Sequence, residues 1–82
     1  MTQLARSPKQ LGTLIQNARL RHNLTQQALA SLVGTGQKTI SRIEGGHIGT
    51  KLETLFGLLA ALDLDLQIGP RRKGDADLGD IF

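Results

Sequence analysis

Two short amphipathic segments joined at a glycine constrain this chain more than any other feature of its sequence. Thr25 is placed to cap the first segment, and Gly34 ends it, because glycine accepts the left-handed backbone conformation common after a helix. Between them, apolar residues recur at helical spacing: Ala28, Leu29, Leu32 and Val33. The pattern predicts a short helix with one buried face that stops sharply and lets the chain turn.

The second segment begins at Thr35 or Gly36 and continues through residues 37–44, before a pair of glycines. Its only large apolar residues, Ile40 and Ile43, lie three apart, so this helix should bury a narrow stripe. Its other side chains are polar. We therefore expect most of its surface to face outward.

A longer helix precedes this pair. Ser7 can cap it, Pro8 fits its first position, and Gln10 follows the cap by three residues, as in a capping box. Its apolar positions are Leu11, Leu14, Ile15, Ala18 and, less regularly, Leu20. We expect it to end near residues 22–23.

A fourth helix follows the pair and is the most apolar of the chain. Thr50 and Glu53 match a second capping box, which predicts a start at Thr50. The apolar residues are Leu52, Leu55, Phe56, Leu58, Leu59 and Leu62. This helix should close the core.

After this helix, the spacing at which apolar residues recur changes from about 3.6 residues to 2 residues. Residues 63–68 alternate polar and apolar, which predicts a half-buried strand whose apolar face carries Leu64, Leu66 and Ile68. No other segment of the chain is a candidate partner, so the simplest arrangement pairs this strand with its copy in a homodimer. The alternative is an extension that lies on the core.

Pro70 ends the predicted strand, and residues 70–82 are rich in Gly and Asp. We interpret residues 1–69 as one folded domain that includes the dimerising strand, and residues 70–82 as a flexible tail. The tail finishes in Ile81 and Phe82, an apolar pair that is either random or an anchor that docks on a partner.

The size and composition exclude several classes of protein. A chain of 82 residues forms one modest core, and without Cys it has neither disulfides nor thiolate metal sites. Two His residues are too few for a structural zinc site, and we expect no cofactor, metal or membrane segment. No catalytic constellation or Gly-rich phosphate loop is visible, so we predict a cytoplasmic protein that is not an enzyme.

The charge is unevenly distributed. Residues 1–50 contain six Lys and Arg residues against a single carboxylate, Glu44, whereas residues 51–69 contain one Lys against three acids. This asymmetry favours a polyanion on one side of the protein and a different partner on the other.

The run from Leu24 to Glu44 resembles the lambda-repressor-like, or Xre, helix-turn-helix family, and the resemblance covers roughly residues 8–62. It implies an all-α fold of four to five helices whose second motif helix enters the major groove of DNA. Two positions depart from the family pattern. Thr35 stands where Val or Ile is usual, and Gly36 stands where a capping Ser or Thr is usual, which puts the start of that helix in doubt.

The resemblance assigns roles to individual residues. Base contacts are expected from Gln37, Lys38, Ser41 and Arg42, since Gln can pair with adenine and Lys or Arg with guanine. Phosphate contacts are expected from Thr25, Gln26, Thr39, His47, Thr50 and Lys51. The family also implies a structural ion pair between Arg19 and Glu44. The alternative for each DNA contact is a solvated surface residue.

The predicted strand and the aromatic end of the tail carry a narrower resemblance to HipB-type antitoxins. It implies a homodimer that represses its own operon by binding double-stranded operator DNA, and a HipA-type serine/threonine kinase toxin as its partner. Two alternatives remain from the residues alone. One is a stand-alone Xre-type regulator, and the other is a protein-interaction module with incidental DNA binding.

Overall fold

The computed structural model describes residues 3–47 and 49–71. Within these ranges the chain forms four helices and no strand: α1 (Pro8–Arg21), α2 (Gln26–Val33), α3 (Gln37–Glu44) and α4 (Leu52–Ala61). The all-helical fold confirms the class predicted from the sequence. The tail residues Ile81 and Phe82 lie outside the described part of the chain.

Side-chain caps begin α1 and α2 as predicted. Ser7 Oγ accepts a hydrogen bond from the Gln10 backbone N–H at 3.1 Å, and Thr25 Oγ1 accepts from the Ala28 N–H at 3.0 Å. Gln10 Oε1 in turn accepts from the Arg6 N–H, one residue earlier than in a standard capping box. Both helix starts were therefore encoded locally.

The predicted start of α4 is wrong. The cap residue is Lys51, without a side-chain hydrogen bond, and the Thr50–Glu53 capping box does not form. The Lys51 carbonyl already accepts from the Leu55 N–H at 3.1 Å, so the helical ladder begins there and the Thr50 hydroxyl lies one residue too early. Glu53 still lies in the first turn, where its charge favours the positive end of the helix dipole.

Helices α1 and α4 end in the same way. Asn23 and Asp63 adopt left-handed backbone conformations, with φ of 56° and 57°. The residue after each donates its N–H back into the helix, Leu24 to the Arg19 carbonyl at 3.1 Å and Leu64 to the Leu59 carbonyl at 2.8 Å. These are Schellman terminations built without glycine. They turn the chain sharply back at both helix ends.

One large apolar side chain from each helix meets at the centre of the core. Ile15, Leu29, Ile40 and Leu58 are fully buried, and Leu62 joins them just after α4. A Leu or Ile buried in this way contributes about 1.5–3 kcal/mol of transfer free energy. This cluster fixes the relative positions of all four helices.

Three residues predicted for the apolar faces of α2 and α4 are not in the core. Leu32 is 65% exposed, Leu52 is 69% exposed and Phe56 is 50% exposed. The buried faces of these helices are narrower than their apolar sequences suggest, because each helix buries only the side that meets its neighbours, which for α2 are mainly α3 and α4. Leu20 of α1 is 56% exposed as well.

Gly12 lets α1 approach the end of α3 backbone to backbone. A Cβ atom there would collide with the carbonyl of Ile43 and would lie 2.6 Å from the carbonyl oxygen of Glu44. Only glycine fits such a contact. Gly12 therefore sets the distance between α1 and the helix that carries the polar face.

Residues 64–71 form neither helix nor strand in the single chain. Leu64 packs half-buried against the core, whereas Leu66 is 50% exposed and Ile68 is 93% exposed. The segment and residues 3–6 flank a groove of about 620 Å³ that Leu11 and Leu59 also line. The placement of Leu64 agrees with an extension on the core, and the pairing of the strand with a second copy stays a prediction.

Candidate nucleic-acid interface

Helices α2 and α3 form a rigid pair around a glycine turn. Gly34 adopts φ of 82°, and both its own N–H and that of Thr35 bond to the Ala30 carbonyl at 2.9 Å. Ala30 is buried, and its small side chain allows the close packing. Leu29 and Ile40 are fully buried across the pair. The apolar stripe of α3 thus faces the core, and its polar side faces solvent.

The exposed side of α3 carries all four predicted base-reading residues. Gln37, Lys38, Ser41 and Arg42 are exposed, and their spacing puts them on adjoining faces over two turns. The helix begins at Gln37 although Gly36 supplies no capping side chain. Its first turn is tightened instead by a bond from the Thr39 N–H to the Gly36 carbonyl at 3.1 Å. Gly36 is thus the N-cap residue, and the helix begins one residue after the later of the two predicted starts.

Four of the predicted phosphate ligands lie around one shallow cleft between α3 and the start of α4. Thr39, His47, Thr50 and Lys51 line it, and Arg42 shares the same wall. The cleft has a volume of about 510 Å³. It combines two cationic side chains with hydroxyl groups, a chemistry that suits a phosphate oxygen.

Two threonines in this cleft were missed by sequence reasoning. Thr35 lies at the turn, and Thr54 lies in the first turn of α4, four residues after Thr50. In the sequence, the available signal was the four-residue spacing of Thr50 and Thr54, which places both on one side of the start of α4. That spacing indicates a site only when the neighbouring α3 is known to lie beside it.

The remaining phosphate candidates, Thr25 and Gln26, lie at the start of α2, apart from the cleft. The Thr25 hydroxyl is already used by the helix cap, whereas Gln26 is half-buried beside α3. Gln37 Nε2 donates to Gln26 Oε1 at 3.4 Å, so the starts of α2 and α3 are in contact. Gln26 therefore supports the first turn of α3.

Arg19 and Glu44 come together in a buried ion pair, as the family resemblance implies. Arg19 Nε donates to Glu44 Oε2 at 2.7 Å, and Nη2 donates to Oε1 at 3.1 Å. The side chains are only 9% and 4% exposed. Arg19 Nη1 also donates to the Leu24 carbonyl at 2.8 Å. The pair joins the end of α1 to the end of α3.

A third contact to this pair was not visible in the sequence. Gln26 Nε2 donates to Glu44 Oε1 at 3.1 Å. A continuous series of hydrogen bonds thus leads from Arg19 through Glu44 and Gln26 to Gln37 on the exposed face. Among the described residues, no buried side-chain nitrogen or oxygen lacks a partner, so the buried part of the series is fully satisfied.

Other kinds of site are not found in residues 3–47 and 49–71. This part of the chain has no cluster of three His, Cys, Asp or Glu residues that could hold a metal ion. None of its helices has both the length and the apolar character needed to cross a bilayer.

Comparison with known proteins matches this geometry to one family. The helix-turn-helix family model matches residues 15–68. Two curated relatives, the antitoxins HipB of Escherichia coli K12 and of E. coli O6:H1 strain CFT073, are 36% identical over 62 residues, which is 76% of this chain. The match spans 70% of the first relative and 66% of the second.

Two further similarities extend over whole proteins. The HTH-type transcriptional regulator y4mF of Sinorhizobium fredii is 34% identical over 77 residues, which is 89% of this chain and 100% of the relative. A chain of the HipA-HipB-O2-O3 complex superposes with a TM-score of 0.79 at 32% identity, covering 87% of this chain and 100% of that chain.

Proposed function

This chain belongs to the helix-turn-helix family, and we propose that it is a sequence-specific DNA-binding repressor of the HipB antitoxin type. The observation that carries the proposal is the outward polar face of α3, fixed to the core on its other side. The 36% identity to HipB and the similarity to a HipA-HipB-O2-O3 complex support the narrower antitoxin assignment.

In this proposal α3 enters the major groove and its exposed face reads base edges. Gln37 has the donor and acceptor that match adenine, and Lys38 and Arg42 donate to guanine N7 and O6. Ser41 lies between them and can contact either purine. The helix has eight residues, which make about two turns, so most of its length can lie in the groove.

The cleft beside α3 would hold the DNA backbone. His47 and Lys51 line it with positive or ionisable groups, while Thr39 and Thr50 offer hydroxyls. A second backbone contact is expected at the start of α2, where Thr25 and Gln26 accompany the exposed N–H groups of a helix terminus. Two phosphate sites that flank the recognition helix would set its register.

Homodimerisation would provide the second copy of α3 that a symmetric operator requires. Residues 63–68 are proposed to pair with the same segment of a second copy, which would cover the exposed apolar side chains of Leu66 and Ile68. Leu64 already packs on the core and would anchor the strand. A symmetric dimer presents two copies of α3 to half-sites about 34 Å apart on one face of DNA.

The partner would be a HipA-type serine/threonine kinase, as for the HipB chain of the HipA-HipB-O2-O3 complex. The antitoxin would then act in two ways, repressing its own operon and binding the toxin. Ile81 and Phe82, at the end of the tail predicted for residues 70–82, are proposed as the docking anchor. A partner bound to two dimers would raise the affinity for the operator.

The match to the HTH-type transcriptional regulator y4mF, which extends over all of that relative, supports regulation in general and keeps a second candidate, a stand-alone Xre-type regulator. Both candidates require the same DNA-binding face. They differ in one observable, which is whether a kinase encoded beside the gene co-purifies with the protein as a stable complex.

Fluorescence anisotropy with purified protein tests the proposal. DNA from upstream of the gene is compared with scrambled DNA of the same composition at several salt concentrations. We expect binding more than about a thousandfold tighter on the upstream DNA, with a log–log salt slope near −5 for about six neutralised phosphates. Equal affinity for both DNAs would contradict sequence-specific repression and favour a protein-interaction module.

A further inference from the structure

We propose that His22 sets the separation of DNA half-sites that the dimer accepts, through its hydrogen bond to the Leu62 carbonyl. This bond joins the end of α1 to the end of α4, at the point where the proposed dimer strand of residues 63–68 begins. The inference rests on the proposed DNA-binding homodimer and goes beyond it. His22 belongs neither to the exposed face of α3 nor to the cleft beside it, so it is a positioning residue.

The first step is the chemistry of this hydrogen bond. The Leu62 carbonyl oxygen can only accept, so the His22 Nε2 that lies 3.0 Å away carries a hydrogen and donates it. Carbonyl groups at the end of a helix have no partner in a following turn, and Leu62 is only 1% exposed. The end of α1 supplies the partner from 40 residues earlier in the sequence.

The second step is the connection between His22 and α3. His22 is the cap residue at the end of α1, and its backbone N–H donates to the Ala18 and Arg19 carbonyls, each at 3.1 Å. Arg19 in turn pairs with the buried Glu44 at the end of α3, and Gly12 brings the two helices into backbone contact. Helices α1 and α3 therefore move as one unit, and the His22 backbone moves with them.

The third step is the segment on the other side of the bond. Asp63 turns the chain with φ of 57°, and the Leu64 N–H returns to the Leu59 carbonyl at 2.8 Å. Leu64 packs against the core, whereas residues 65–71 are exposed. The direction of the segment is therefore set at its first two residues, next to the carbonyl that His22 holds.

The fourth step carries this direction to the DNA. In a symmetric dimer, a change in the angle at which the strand leaves Leu62 occurs in both copies, so it changes the distance and the twist between the two α3 helices. Half-sites lie about 34 Å apart, and one added base pair moves a half-site by about 3.4 Å and rotates it by about 35°. A dimer whose strands leave at a fixed angle rejects such a change. A dimer without the His22 contact tolerates it.

The experiment varies the spacing of the half-sites and keeps their sequence. The preferred half-site and spacing are first selected from a randomised DNA library with the wild-type protein. Duplexes with two half-sites at that spacing, or one base pair closer or farther apart, are then titrated by fluorescence anisotropy. The variants are His22→Asn, whose amide is too short to reach the Leu62 carbonyl, and His22→Gln, whose NH₂ group reaches about as far as the histidine Nε2. Asn17→Gly is the control for lost stability, because it weakens the middle of α1 and leaves both partners of the bond unchanged.

We expect wild type and His22→Gln to lose about tenfold or more of their affinity when the spacing changes by one base pair, and His22→Asn to lose about threefold or less. Asn17→Gly should keep the wild-type ratio although it melts at a lower temperature. An unchanged ratio in His22→Asn would overturn the inference, as would a relaxed ratio in His22→Gln or Asn17→Gly. A wild-type protein that binds one half-site as tightly as two would instead defeat the proposed dimeric repressor itself.

Discussion

The Glu44 carboxylate bonds to the Arg19 guanidinium through two nitrogens, at 2.7 and 3.1 Å, at the point where α3 ends against α1. The same carboxylate accepts from Gln26 at the start of α2. One buried side chain on α3 is thus joined to both of the helices that precede it. The polar face of α3 is therefore held at a defined angle by a contact that lies inside the domain.

Arg19→Ala should destabilise the fold by about 3–5 kcal/mol, because it leaves the buried Glu44 carboxylate without its cationic partner. Chemical denaturation monitored by circular dichroism measures the change. Arg21→Ala, at an exposed position of the same helix, is the control and should have little effect. An unchanged midpoint for Arg19→Ala would mean that the ion pair does not stabilise the domain.

Gly12→Ala should destabilise the domain by about 2 kcal/mol or more, although alanine is the better helix former. The added methyl group would lie 2.6 Å from the Glu44 carbonyl oxygen and would push α1 away from α3. Gln16→Ala, at an exposed site of α1, should be neutral or slightly stabilising. A more stable Gly12→Ala variant would show that the two backbones are not in contact.

Asn23→Gly should raise the stability by roughly 0.5–1 kcal/mol, because Asn23 holds a left-handed conformation with φ of 56° that glycine adopts without strain. For a domain of this size the melting temperature should rise by a few degrees. The same change at Asn17, in the middle of α1, should lower it. A lower melting temperature for Asn23→Gly would contradict the Schellman termination of α1.

Ile68→Asp should abolish the proposed homodimer and leave the four helices intact, since the side chain is 93% exposed in the single chain. Analytical ultracentrifugation gives the oligomeric state, and circular dichroism gives the helix content. Gln67→Asp is the control, because alternation along a strand directs it to the other face. A dimer that survives Ile68→Asp unchanged would exclude pairing through residues 63–68.

The features that the sequence predicts well are those decided within a few residues. Ser7, Thr25 and Gly34 begin or end helices through bonds to near neighbours, and all three are found as predicted. The predicted start of α4 was wrong because Thr50 and Lys51 are adjacent candidates for the N-cap position. Helices that begin after one or the other differ little in free energy.

The features that escaped prediction depend on which surfaces meet. Leu52 and Phe56 are apolar but lie beside the buried stripe of α4, and no local pattern marks which side another helix will cover. The close backbone contact at Gly12 and the hydrogen bond between Gln26 and Glu44 both join residues that are far apart in sequence. The strand predicted for residues 63–68 stays a prediction, because its proposed pairing partner is a second copy of the chain.

The most direct test of the central claim compares the base-preference profiles of Arg42→Ala and Lys51→Ala with that of wild type. Arg42 lies on the exposed face of α3, and Lys51 lines the cleft beside it. The account predicts that Arg42→Ala relaxes the preference at one base pair, at a cost of about 1–3 kcal/mol, whereas Lys51→Ala weakens binding uniformly and lowers the salt slope by about 1. Profiles in which neither variant changes any base preference or the salt slope would contradict the claim that the exposed face of α3 reads DNA.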